Sequence, residues 1–194
     1  MYRELWNWDK VKDRLRQLPG RLGFPKSEYL RFLGLRLSLK DGKLFDELRG
    51  VDYPEVEPAV YYVLHEYSKA EDVPETGELI PFKKLPGGIH YYGSFYNRVI
   101  IPLERTFGRD PELLLTAADP LGGTKFDLGD ASVKIYALPR IPVIFAIWAG
   151  DEELSASANV LFDSSASNYV TAEEATILCE ITLKRLKDMI EALR

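Results

Sequence analysis

The chain's 194 residues are 46% hydrophobic and 28% charged, a balance at which roughly 70% of the unfolded surface is buried on folding, so no disulfide, metal or partner is needed to explain stability. Its 25 basic residues are scattered among 30 acidic ones for a net charge of −5, without the basic stripe that neutralises phosphates, which sets nucleic acid aside as a partner. The single Cys179 excludes an internal disulfide, a cysteine-rich zinc site and an iron–sulfur cluster bound by this chain alone.

The opening stretch MYRELWNWDKVKDRLR is charged from its third residue and does not read as a secretory signal, so a cytoplasmic location is expected. A helix is predicted from about Tyr2 to Leu18, with Leu5, Trp8, Val11, Leu15 and Leu18 at helical spacing, and Pro19-Gly20 ends it. Tyr29 to Leu39 alternates at its end through Leu33, Leu35, Leu37 and Leu39, and Asp41-Gly42 then precedes Lys43-Leu44-Phe45. Asp-Gly supplies the positive φ angles of a tight turn, so a β-hairpin is predicted there. Pro58 suits a first helical turn, and Val60, Val63, Leu64 and Tyr67 make one apolar face behind it. Glu71 to Gly93 carries three prolines and four glycines and reads as a long connection. Ser94 to Phe107 reads as a helix kinked or divided at Pro102. Asp110-Pro111 then opens a short helix to about Ala118.

The densest sheet signal runs from Thr124 to Asp163. Val133 and Ile135 alternate with Lys134 and Tyr136; Val143 to Trp148 is apolar on both faces, as in a central strand; Ala158 to Phe162 is a third strand. Short connections between them point to an antiparallel meander, with the turn at Asp151 and the residues around Asp163 at opposite ends of one hairpin. The longest apolar run, Ile141 to Gly150, falls far short of the ~20 residues that span a bilayer. Thr171 and Glu174 form a capping-box signature ahead of the last helix. On that helix Ala175, Leu178, Cys179, Thr182, Leu183, Leu186, Met189, Ile190 and Leu193 share one arc, and Glu180, Lys184, Lys187, Asp188 and Glu191 lie opposite. Ile177 falls among the charged residues and Ile181 at the edge of the apolar arc, a pair that would suit a homodimer contact. The fold expected is one α+β domain over residues 1–194, with a mostly antiparallel sheet covered on one face by the long C-terminal helix.

Candidates for chemistry are few. Cys179, in the middle of the apolar arc, reads as a core thiol and not as a nucleophile. His65 sits on a helix flank. His90 stands in Leu85-Pro-Gly-Gly-Ile-His-Tyr-Tyr-Gly-Ser-Phe95, where two glycines let backbone approach a ligand and His90, Tyr91 and Tyr92 would line a pocket; the bland alternative is an aromatic loop packed on the core. Nucleotide-binding glycine patterns are absent. Asp151-Glu152-Glu153 offers hard oxygen ligands but without the alternation of a calcium loop, so a solvated acidic turn is preferred and no metal site is predicted. Asp163-Ser164-Ser165 follows the third strand with no nucleophile-elbow glycines around it, and turn chemistry competes with ligand binding there. Asp127 and Asp130 around Gly129 admit the same turn reading.

Five stretches carry a resemblance: Leu85-Pro-Gly-Gly with Tyr91-Tyr92-Gly93, Gly129-Asp130-Ala131-Ser132-Val133, Leu138-Pro-Arg-Ile-Pro142, Trp148-Ala-Gly-Asp-Glu-Glu153, and Ala158-Asn-Val-Leu-Phe-Asp-Ser-Ser165. Through them the chain resembles the prokaryotic domain-of-unknown-function family 3786, over about its last two-thirds. Some members of that family carry an additional four-cysteine iron–sulfur domain of the corrinoid-protein type, which this chain lacks. The resemblance implies a setting in anaerobic redox or one-carbon metabolism and transfers no catalytic residue or cofactor.

The function expected is therefore an accessory module binding a small molecule or cofactor. Its site lies at the Asp163 end of the hairpin, with His90, Tyr91 and Tyr92 closing over Asp163, Ser164 and Ser165. A metal-assisted enzyme using Asp151, Glu152, Asp163 and His90, and a purely structural protein-interaction domain, are the alternatives. The partner implied is a small-molecule ligand or a protein; a membrane is not.

Overall fold

The computed structural model describes residues 5–192; the helix start expected at Tyr2, and Leu193, lie outside the described residues. Helix α1 (Trp8–Leu15) is capped by Asn7, whose Oδ1 accepts the Lys10 N–H at 3.2 Å, so the periodic stretch is interrupted just ahead of Trp8. Val11, Leu15 and Leu18 are buried as expected, and Leu5, ahead of the cap, is exposed.

Strands β1 (Tyr29–Phe32), β2 (Leu35–Ser38), β3 (Leu44–Asp46) and β4 (Val51–Asp52) form an antiparallel sheet in chain order. The Asp41-Gly42 hairpin joins β2 to β3, with Leu37 opposite Leu44. Tyr29 to Leu39, however, is two strands and not one. Leu33 and Gly34 adopt φ values of 51° and 69° and reverse the chain, pairing Phe32 with Leu35. Two consecutive positive φ angles make the two-residue hairpin turn, and the buried Leu33 side chain holds a leucine where glycine or asparagine is usual.

Helix α2 (Glu57–Tyr67) starts with Pro58 in its first turn and buries Val60, Val63, Leu64 and Tyr67. The region read as a long connection instead contains β5 (Leu79–Pro81) and the start of α3 (Gly88–Phe95). A π-helical turn over Tyr96–Ile100 joins α3 to α4 (Ile101–Phe107), with Pro102 in the first turn of α4, where a missing N–H costs little. Helix α5 spans Glu112–Ala118.

Strands β6 (Thr124–Lys125), β7 (Ala131–Leu138), β8 (Ile141–Trp148) and β9 (Ser157–Asp163) join β5 in a second antiparallel sheet, ordered β5-β9-β8-β7-β6. Strand β8 is central, buried from Ile141 to Ile147. Its Val143, Phe145 and Ile147 face the core with Val133, Ile135, Val160 and Phe162. The opposite, outer face presents Pro142, Ile144 and Ala146 beneath irregular chain.

Helix α6 (Ala172–Ala192) opens with the expected Thr171–Glu174 pairing, Glu174 Oε2 accepting the Thr171 N–H at 2.7 Å and the Thr171 hydroxyl as well. Its apolar arc is buried. The helix also packs against α2, α3, α5, the π turn and β7, so more of its circumference is covered than an amphipathic pattern implies. Ile177 and Ile181 are only 3% and 4% exposed, so neither offers the surface that a homodimer contact through them requires. Asp188, placed by helical spacing on the polar arc, is buried as well. One hydrophobic cluster runs from Val11 through both sheets to Met189. This is an α+β fold of two antiparallel sheets with a long C-terminal helix.

Candidate functional site

The Gly87-Gly88 pair serves packing. Gly87 takes φ 78°, and a Cβ on Gly88 would sit 2.2 Å from the Phe82 carbonyl oxygen, so glycine is needed where α3 begins against the preceding turn. His90 is exposed on α3. Tyr91 and Tyr92 are half-buried: the Tyr91 hydroxyl accepts from Arg98 at 3.1 Å, and Arg98 pairs in turn with Glu180 of α6 at 2.8 and 2.6 Å. Tyr92 lies 4.2 Å beneath the Lys83 ammonium, beside Phe82 and Phe95, which stack at 3.8 Å. The aromatic stretch thus docks a helix, and the structure does not bring His90, Tyr91 and Tyr92 together with Asp163 in one cleft.

Residues 71–78 take that place instead, as a strap across one end of the β5–β9–β8–β7 sheet. Asp72 takes a two-pronged bond from Arg140 at 2.7 and 3.0 Å. The Tyr169 hydroxyl accepts from the Val73 N–H at 2.8 Å and donates to the Val73 carbonyl at 2.6 Å. Glu75 accepts from Lys134 at 3.0 Å and from Tyr136 at 2.6 Å. Asp163, buried at the end of β9, collects the Thr76 N–H (3.0 Å), the Thr76 hydroxyl (3.1 Å), the Gly77 N–H (2.7 Å) and the Ser165 N–H (3.0 Å). Burial works against its charge, yet the hydrogen bonds from Ser165, Thr76 and Gly77 hold its carboxyl well below the usual range. Because the Thr76 proton goes to Asp163, Ser164 is the donor in its 2.6 Å contact with Thr76. The buried Ser165 hydroxyl has no hydrogen-bond partner among the described residues. No imidazole supports a serine nucleophile there: His65 pairs with Glu66 at 2.9 Å on α2, and His90 is out on α3.

Between strap and sheet lies a cleft of about 170 Å³. Its apolar lining is Leu79, Phe126, Pro142 and Ile144, and Lys134, Glu75 and Asp163 supply its charges. The Phe126 wall is fixed by the buried Ser132, whose hydroxyl donates to the Phe126 carbonyl at 2.8 Å and accepts the Leu128 N–H at 3.0 Å. Sequence reasoning did not single out Lys134, Glu75, Phe126 or Ile144 as site residues. The apolar character of β8 on both faces was the available signal, since something must cover Ile144.

The Asp151 end of the hairpin is separate. Trp148 pairs with Ser157 at one end of the β8–β9 ladder and Val143 with Phe162 at the other, so the two acidic clusters stand roughly 20 Å apart at about 3.3 Å per residue. Asp151 Oδ1 accepts the Glu153 and Leu154 N–H groups at 2.8 and 2.7 Å, the turn chemistry of an aspartate. Asp130 Oδ2 caps the same strand end through the Ala149 N–H at 2.7 Å. Among the described residues no three His, Cys, Asp or Glu side chains converge as metal ligands do. Asp151, Glu152, Asp163 and His90 are not brought together. Cys179 is fully buried, and burial raises its thiol pKa far out of the reactive range.

One further charged cluster escaped the sequence. Arg185 of α6, 0% exposed, donates both terminal nitrogens to Asp46 at 2.6 and 2.8 Å, Nε to the Leu33 carbonyl at 3.0 Å, and again to Asp188 at 3.1 Å. Tyr53 donates to Asp188 as well. This group sews the four-stranded sheet to α6, and every polar atom in it is answered by the chain itself.

Fold and site define an α+β protein whose outer sheet face is strapped over a small apolar-floored cleft. The chain belongs to the family described as Domain of unknown function (DUF3786), whose model matches residues 26–185. No curated protein and no solved structure matches it. Three of the five resembling stretches build the cleft: Ser132 sets its Phe126 wall, Arg140 and Pro142 hold the strap and floor, and Asp163 pins Thr76 and Gly77. No described helix is long and apolar enough to cross a membrane.

Proposed function

We propose that this chain is a small-molecule-binding accessory module whose ligand enters the cleft at the Asp163 end of the outer sheet face. The observation that carries the reading is the cleft itself: an apolar floor at Ile144 and Pro142, with an exchangeable ion pair, Lys134–Glu75, at its side. Binding sites combine mostly apolar lining with a few placed polar groups, and this cleft has that composition. At about 170 Å³ it is below the ~300 Å³ of typical ligand pockets, so it suits a compact metabolite or the protruding group of a larger cofactor, and not an entire corrinoid. The family likeness supports a prokaryotic cytoplasmic setting in anaerobic redox or one-carbon metabolism.

The test is purification from the native host followed by native mass spectrometry. A stoichiometric small molecule, retained by the wild type and lost from Ile144→Phe, which fills the floor, is the expected result. A bound molecule unaffected by Ile144→Phe, or none at all, overturns the proposal. A protein-interaction role is the second reading, favoured by Ile89 and Tyr96, which stand 73% and 40% exposed on α3 and the π turn. A protein retained by the wild type and released by Ile89→Glu, with no small molecule bound, would favour it.

A further inference from the structure

A second depression lies at the other end of the β8–β9 hairpin, and we infer that it binds a phosphate group between Arg105 and Arg109. Its volume is about 570 Å³; one wall is the end of α4 with the turn after it (Glu104, Arg105, Gly108, Arg109) and the other the loop after β8. Its base is a backbone contact, the Gly150 N–H donating to the Gly108 carbonyl at 3.1 Å. Both glycines are required for that approach. A Cβ on Gly108 would sit 2.3 Å from the Ala156 Cβ, and one on Gly150 2.5 Å from the Ala156 nitrogen. The two walls are therefore held at a fixed spacing by the chain itself.

The charges in this depression are unevenly used. Glu104 accepts the Ala158 N–H at 3.2 Å, and Asp151 accepts two N–H groups of its own turn. The carboxylates thus brace the loop. Arg105 and Arg109, four residues apart, make no ion pair or hydrogen bond among the described residues, whereas Arg98, Arg140 and Arg185 each grip a carboxylate with two nitrogens. Two free guanidinium forks facing one cavity match the charge and oxygens of a phosphate dianion. The carbonyls that would repel an anion at the end of a helix are partly occupied, because the Gly108 N–H takes the Glu104 oxygen and Gly150 takes the Gly108 oxygen. The remaining volume admits the body of a phosphorylated small molecule.

The experiment is an NMR titration of the full chain, in parallel, with inorganic phosphate, phenyl phosphate and sodium chloride at matched ionic strength. Expected are saturable shifts of the Arg105 and Arg109 Nε–H signals and of the Gly108, Gly150 and Ala156 amides with both phosphate probes. Tighter binding of phenyl phosphate would identify a phosphorylated organic molecule as the natural class, and equal binding free phosphate. The exposed double variant Arg105→Gln/Arg109→Gln should weaken binding about tenfold or more with an unchanged melting temperature, since each such fork–oxyanion contact is worth on the order of the 1.4 kcal/mol that makes a decade. Shifts reproduced by chloride, or unchanged affinity in a folded double variant, overturn the inference. Neither result depends on what the outer-face cleft binds.

Discussion

Two regions of this molecule bury an aspartate and treat it in opposite ways. At the seam between the four-stranded sheet and α6, Asp46 is fully buried against the guanidinium of Arg185, with Arg49 at its flank. Under the strap, Asp163 is buried against neutral donors: two backbone N–H groups and a hydroxyl of the 76–77 turn, plus the Ser165 N–H. Burial opposes both charges, and both carboxyls nevertheless titrate below the usual range, Asp46 at about 2. The seam is closed chemistry, since cation and anion answer each other and leave nothing for a ligand. The strap keeps its anion satisfied with dipoles alone, and the Lys134 ammonium at the cleft wall is left to the exposed side chain of Glu75. A charge cluster that is complete without solvent builds architecture, and one that borrows an exposed side chain can exchange it for a ligand.

The seam should yield the largest effect. Arg185→Met takes the buried guanidinium from Asp46 and Asp188, leaving them only the partly exposed Arg49 and Lys184, and should cost about 3–5 kcal/mol in urea unfolding. Adding Asp46→Leu should recover part of that loss but not all, because Asp46 also accepts the Leu48 and Arg49 N–H groups at 3.0 and 3.1 Å. Full recovery in the double variant would mean that the seam is held by packing and the ions are incidental.

Next comes the burial of α6 itself. Leu186, 0% exposed, should cost about 2–5 kcal/mol when cut to alanine, whereas the half-buried Lys187→Ala should stay within about 0.5 kcal/mol. Equal losses would break the assigned orientation of the helix. Cys179, on the same buried arc, should react with a thiol reagent only as fast as the protein unfolds; labelling within the mixing time of native protein would place the thiol at the surface.

How much of this was legible in the sequence differs between the regions. The β7–β8–β9 meander, the α6 cap at Thr171 and Glu174, and the Asp41-Gly42 hairpin follow from local pattern, and the structure contains each of them. The Leu33-Gly34 turn was not legible, because a leucine at positive φ is held by its burial in a core that forms only after the turn. Gly87-Gly88 signalled a close approach correctly, but the approaching partner is the chain's own Phe82 carbonyl and not a ligand. Arg185 and Asp46 are 139 residues apart, and helical spacing alone cannot tell a solvated charge from one that meets a distant sheet. For the candidate site, Asp163 was legible as the polar residue ending a strand, and its end of the hairpin is where the cleft lies. The strap that completes the cleft was not, since residues 71–78 are held by side chains from β7, β9, the β7–β8 turn and the segment before α6, and by no periodicity of their own.

The smallest predicted effect separates the two aspartates by pH. A carboxyl whose folded pKa lies below its unfolded value of 3.8 contributes stability that is fully present above that value and is lost as pH falls through the folded one. For Asp46 the window is therefore about pH 3.8 down to about 2, and for Asp163, held lower than Asp46, it opens at the same pH and reaches further into acid. Asp163→Asn keeps one acceptor oxygen for Thr76 and Ser165 but turns an amide N–H toward the Gly77 N–H, which should cost about 1–3 kcal/mol at pH 7. Because the asparagine does not titrate, the variant's deficit should shrink steadily as pH falls below 3.8. Limited proteolysis at pH 7 should find the strap cut faster in Asp163→Asn while β7–β9 stay protected, because the lost bonds hold Thr76 and Gly77 and not the sheet. Asp46→Asn, tested in the same way, should lose protection across the four-stranded sheet and α6. If both variants instead open the whole molecule together, the strap is no separable element, and the cleft beneath it cannot admit a ligand by local opening.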